Sequence, residues 1–139
     1  MANIWGYPVI QTDLAGLVIT GGQVTVDGYG EAQYDAVPSG IVRSIDYNGT
    51  GNYTIVLQEA WYALVDVHIE SVIPADAPVA GRLIQIQEIT VGDPAVLPVQ
   101  AGGDGQGVTF QVLSLAGADA ALDEGQGFVF SLLLKASSA

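Results

Sequence analysis

The chain has 139 residues, 50% of them hydrophobic and 13% charged, and sets fifteen Asp and Glu against Arg43, Arg82 and Lys135 for a formal net charge of −12. That length supports one domain with one core, and the charge argues against a DNA- or RNA-binding role, which needs clustered cations to displace counterions from phosphates. No stretch approaches the roughly 20 uninterrupted apolar residues of a membrane-spanning helix. The absence of cysteine removes disulfides and thiolate metal sites, while a mean hydropathy of +0.41 points to apolar surface kept for a partner.

Residues 1–16 carry Trp5, Tyr7 and Pro8 without a period and are read as an N-terminal arm. It packs either on its own domain or on a neighbouring subunit. The opening MANIWGYPVIQTD has neither a basic n-region nor a continuous apolar h-region, so a secretory signal is not expected. Residues 17–139 are read as the folded domain. Leu17 to Thr20 predicts a short strand broken at Gly21-Gly22 by a bulge or turn, and Gln23 to Asp27 resumes with Val24 and Val26 inward. Gly28 to Tyr34 predicts a weak strand. From Ile41 to Tyr47 the alternation sets Ile41, Ile45 and Tyr47 on one face, with Arg43 sharing it.

The longest alternating run is Tyr53 to Ile73, entered through Asn48-Gly49-Thr50-Gly51-Asn52 and stopped by Pro74. From Trp61 onward it predicts Ala63, Val65, Val67, Ile69 and Ile73 inward with Trp61, and Tyr62, Asp66, His68 and Glu70 outward. The Asn-x-Thr triplets at Asn48 and Asn52 are read as turn chemistry and not as glycan sites. Arg82 to Val91 predicts a strand whose phase slips near Gln87 and Glu88, where a β-bulge would return Ile84, Ile86, Ile89 and Val91 to the core. Residues 92–107, rich in Gly and Pro, predict a long surface loop. Val108 to Ser114 and Phe128 to Lys135 are the most hydrophobic strands, and ADAALDEG between them permits at most one helical turn. About eight antiparallel strands joined by Gly- and Pro-rich turns predict an all-β, single-domain sandwich or jelly roll.

Little in the chain suggests chemistry. Asp66, His68 and Glu70 fall at i, i+2 and i+4 of a strand, a span of about 13 Å by ligand position that one ion cannot bridge. Asp104 in GGDGQG has neither the Lys of a phosphate loop nor the carboxylates of a calcium loop. There is no nucleophile elbow, no cysteine and no partnered histidine, so neither an enzyme nor a cofactor or metal site is expected.

The blocks NGTGNYTIVLQEAWYALVDVHIES, GQGVTFQVLS and GFVFSLLLKASSA resemble, in style and size, the capsid decoration or cement proteins of tailed bacteriophages. The chain is similar to the jelly-roll cement protein of a short-tailed Bordetella phage. The resemblance implies a homodimer or homotrimer on the outer surface of the expanded icosahedral head, made in the host cytoplasm and bridging neighbouring major capsid subunits. No family motif assigns contact residues. Residue chemistry nominates the aromatics Trp5, Tyr7, Trp61 and Tyr62 and the scarce cations Arg43 and Arg82 as interface residues. The alternative is a virion-displayed jelly roll that binds a host-surface glycan, with Tyr29, Tyr34 and Tyr62 stacking on sugars.

Overall fold

Period-two alternation builds nearly every element of the chain. The computed structural model describes residues 10–11, 16–27, 32–33, 41–58, 61–73, 81–91 and 106–135. They form an all-β sandwich of two antiparallel sheets with no helix among them. The strands are β1 (Ile10–Gln11), β2 (Leu17–Val26), β3 (Ala32–Gln33), β4 (Val42–Gly49), β5 (Asn52–Leu57), β6 (Ala63–Val72), β7 (Arg82–Ile89), β8 (Gly107–Ser114) and β9 (Gly127–Lys135). One sheet has the order β1-β2-β9-β6, with β3 also paired to β2; the other has the order β4-β5-β8-β7.

The core lies between the sheets. Phe128, Phe130, Leu132 and Leu134 of β9 face Tyr53, Ile55 and Leu57 of β5 and Val108, Phe110 and Val112 of β8, all of them buried. Each set holds one parity, as the sequence predicts, because a strand's side chains alternate between core and outer face. Tyr53, Phe110 and Phe128 form a ring cluster with centroids 4.9–5.8 Å apart. The β6 and β7 edges lie against each other on one side of the sandwich, and β3 and β4 on the other. Followed around the section, β6, β7 and β8 are successive neighbours and β9 returns beside β6, which makes one Greek key.

Four expectations are corrected. The glycines do not break β2: it runs in register with β9 through Gly21 and Gly22, opposite Ser131 and Phe130. A Cβ on Gly21 would run into the carbonyl oxygen of Phe130, so this glycine serves close approach within the sheet. The Tyr53–Ile73 run is two strands in opposite sheets, β5 and β6, because the chain crosses the sandwich between Leu57 and Ala63. On β6 a bulge between Leu64 and Asp66 turns Val65 outward and places Leu64 against the core. On β4 a bulge between Val42 and Ser44 ejects Arg43 to the surface, while Val42, Ile45 and Tyr47 all reach the core. In each bulge one extra residue resets the phase.

Two further points concern connections. The 115–126 segment forms turns with an isolated Leu113–Asp119 bridge and no helical turn, and its Leu122 side chain is buried in the core. The end of the expected arm, Ile10–Gln11, pairs with β2. Most of the Gly28–Tyr34 strand and of the 92–107 loop lies outside the described residues, as do Pro74 and its connector.

Candidate functional site

The nominated interface residues do not gather into one patch. Trp5 and Tyr7 lie outside the described residues. Trp61 sits where the chain crosses between sheets, its ring against the core and its backbone N–H donating to the Gln106 Oε1 at 2.7 Å. The adjacent Tyr62 donates its backbone N–H to the Lys135 carbonyl. These bonds anchor the crossover. Among the described residues the buried Trp61 indole Nε1 has no hydrogen-bond partner, an arrangement that costs stability. Arg43 is exposed on β4 and Arg82 opens β7, so the two cations sit on opposite edges of the same sheet. Arg82 donates to the carbonyls of Ala121 and Gly81, each at 3.4 Å.

A more coherent surface lies where β6 and β7 meet. Ile69, Glu70 and Ser71 of β6 and Arg82, Leu83 and Ile84 of β7 line a cleft of about 310 Å³ between the two sheet edges. The bulge expected near Gln87 occurs between Ile86 and Glu88. It brings Ile84, Ile86 and Ile89 to one phase, opposite Val112, Phe110 and Val108. The core does not cover all three, because β7 is the last strand of its sheet. Ile86 remains 37% exposed and Ile89 47%; Leu83 on the other face is 47% exposed, Val65 on β6 52% and Leu115 beyond β8 64%. These are the large exposed hydrophobic residues among those described, and four of the five belong to β6 or β7. An uncovered apolar edge of this kind marks an interaction surface.

Sequence reasoning assigned Ile86 and Ile89 to the core and passed over Leu83. The available signal was RLIQIQEI itself. It has apolar residues in both phases, more than a strand with one wet face can bury.

The outer face of the β4-β5-β8-β7 sheet is built differently, and at its centre lies a network of uncharged amides and hydroxyls. The Asn48 amide donates to Asn52 Oδ1 at 2.9 Å and Thr54 Oγ1 at 2.8 Å; Asn52 donates to Gln87 Oε1 at 2.8 Å and Gln111 Oε1 at 3.0 Å. Thr54 and Thr109 hydroxyls lie 2.8 Å apart, and buried Gln111 donates to the Thr50 carbonyl. Both Asn-x-Thr asparagines thus hold the β4–β5 hairpin and tie four strands together. Gly51, at φ 66°, supplies the left-handed turn residue this hairpin needs.

On β6, His68 Nε2 and Glu70 Oε1 form an exposed pair at 3.2 Å. Asp66 Oδ1 instead accepts the Val67 N–H at 3.0 Å. Among the described residues no three His, Asp or Glu side chains are placed to share an ion.

No protein-family model matches the chain, and neither a curated protein nor a solved structure matches it.

Proposed function

We propose that the protein is a non-catalytic structural module that docks on a larger assembly through its β6–β7 side. The assembly is the expanded head of a tailed phage, on whose outer surface the protein acts as cement between major capsid subunits. The observation that carries the docking reading is the uncovered apolar edge strand that exposes Leu83, Ile86 and Ile89, with Val65 also exposed on β6. The phage head as partner rests on the resemblance of the strand blocks to decoration proteins. Cement works by many moderate contacts repeated by symmetry, so a modest patch per copy suffices. The charge of −12 suits a protein that must bind a shell and not the DNA inside it.

Co-sedimentation with undecorated expanded shells tests this, with unexpanded shells and free DNA alongside. Saturable binding to expanded shells alone is expected. Failure to bind any shell would overturn the assignment. The glycan-binding module has one observation in its favour, the neutral amide and hydroxyl face of Asn48, Asn52, Thr54, Gln87 and Thr109, whose groups match sugar hydroxyls in kind. Binding on a glycan array, lost in Asn52→Ala, would move that reading to first place.

A further inference from the structure

β7 closes its sheet with a backbone ladder that stops at an open edge. Val112 of β8 donates its N–H to the Gly51 carbonyl at 2.8 Å and accepts from the Ala120 N–H at 3.0 Å, so both of its backbone groups point away from β7. Ile84 stands opposite Val112 and Ile86 opposite Phe110, two positions along. In an antiparallel ladder the members of a non-hydrogen-bonded pair turn their backbone groups away from each other, and such pairs recur at every second residue. Ile84 and Ile86 therefore present N–H and C=O outward, and among the described residues no strand takes them up.

Natural edges are blunted by Lys, Pro or short length. β7 has eight residues, no Lys and no Pro, and exposes Leu83, Ile86 and Ile89. Its one irregularity, the bulge, begins beyond Ile86 and leaves the stretch before it straight.

We infer that two copies of this chain pair along β7, antiparallel about a two-fold axis at Gln85, to make one continuous sheet from two. This names the first occupant of the β6–β7 side and rests on the reading of that side as a docking surface. In this register Ile84 of each copy lies opposite Ile86 of the other and the pair exchange backbone hydrogen bonds. Gln85 meets Gln85 across the axis with both amides on the outer face.

Charge selects a second copy as the occupant. Two molecules of charge −12 repel over most of their surfaces, yet the strands of this sheet carry Arg43 and Arg82 against Asp46 and Glu88 and are formally neutral. Arg82 and Glu88 stand at opposite ends of β7, so antiparallel pairing brings unlike charges to each end. A two-fold contact of this kind is isologous and closes after one copy, which keeps an open edge from growing into a fibre.

The pairing is tested by sedimentation velocity of the full chain from about 1 to about 100 μM, concentrations that populate a dimer of Kd about 10 μM or tighter. A dimer is expected, with the dimer fraction rising with salt as the repulsion of the acidic surfaces is screened. Ile86→Lys makes it monomeric, and so does Ile86→Pro, which removes an outward N–H without breaking a bond to β8. Both keep the native circular dichroism spectrum. Leu115→Lys, off the strand, stays dimeric. A native chain that is monomeric throughout this range overturns the pairing, and so does a dimer that survives both folded Ile86 variants. Shell binding by a monomeric native chain would sink the pairing and leave the docking reading standing, whereas a dimer that binds no shell does the reverse.

Discussion

Tyr53 shows what one residue contributes to joining the two sheets. It is buried on β5, with its ring against Phe110 of the same sheet and Phe128 of the opposite one, and it meets Tyr47 edge-on at 5.5 Å. Burial, helped by Tyr47 and the Asp27 carboxylate, pushes its phenol up from 10.0 to about 12. The unfolded chain therefore ionises first. The stabilisation from keeping Tyr53 neutral is complete below pH 10 and is lost as pH climbs from 10 to 12, by roughly 2–3 kcal/mol in all. Urea unfolding at pH 8, 10 and 12 checks this, and Tyr53→Phe should lose that component of the decline. If the variant and the native chain decline identically over this range, the assignment to Tyr53 fails. Phe128, fully buried at the centre of the ring cluster, makes the simpler case: Phe128→Ala removes a large buried ring and should cost about 3–5 kcal/mol in denaturant unfolding.

At the scale of elements, β2 owes its continuity to Gly21. Replacing it with alanine forces a Cβ against the Phe130 carbonyl in the middle of the β2–β9 ladder. A loss of about 1–3 kcal/mol is expected, read as a lowered denaturation midpoint at unchanged m-value. A Gly21→Ala chain as stable as the native one would show that the ladder gives way there at no cost. The same glycine marks a limit of the sequence. Close approach of two backbones is a relation between strands far apart in the chain, and Gly21-Gly22 is locally indistinguishable from a turn. Strands whose apolar residues hold one parity, β8 and β9, were legible at once, and the β7 bulge was legible from its slip of phase. The bulge at Val65 was not, because the residues there alternate correctly on paper and only the pairing with β9 reveals the extra residue; at Arg43 a charge on the apolar face was the one signal, and the pairing with β5 shows that a bulge is its cause. The sheet change between β5 and β6 was hidden for a related reason: alternation records which face is wet and carries no information on which sheet a strand joins.

For the whole molecule, sandwich architecture and surplus apolar surface both followed from composition and strand count, but the position of that surface did not. It depends on β7 being the last strand of its sheet, which is a fact of topology. The interface candidates chosen by residue type, Arg43, Trp61, Tyr62 and Arg82, fall at separate places, and Trp61 packs on the core. The exposed residues that share one element are aliphatic, Leu83, Ile86 and Ile89 of the edge strand β7. A double variant, Leu83→Asp with Ile89→Asp, adds charge to an exposed apolar strip. It should leave folding within about 1 kcal/mol of native while weakening attachment to the shell by tenfold or more, measured by co-sedimentation.

The most direct test of the cement role is the melting temperature of expanded, undecorated shells titrated with the native chain. The temperature should rise and then level off at a fixed number of copies per shell, and the double variant should produce no rise at the same concentration. Shells that bind the chain yet melt unchanged, or a rise that the double variant reproduces in full, would contradict the account.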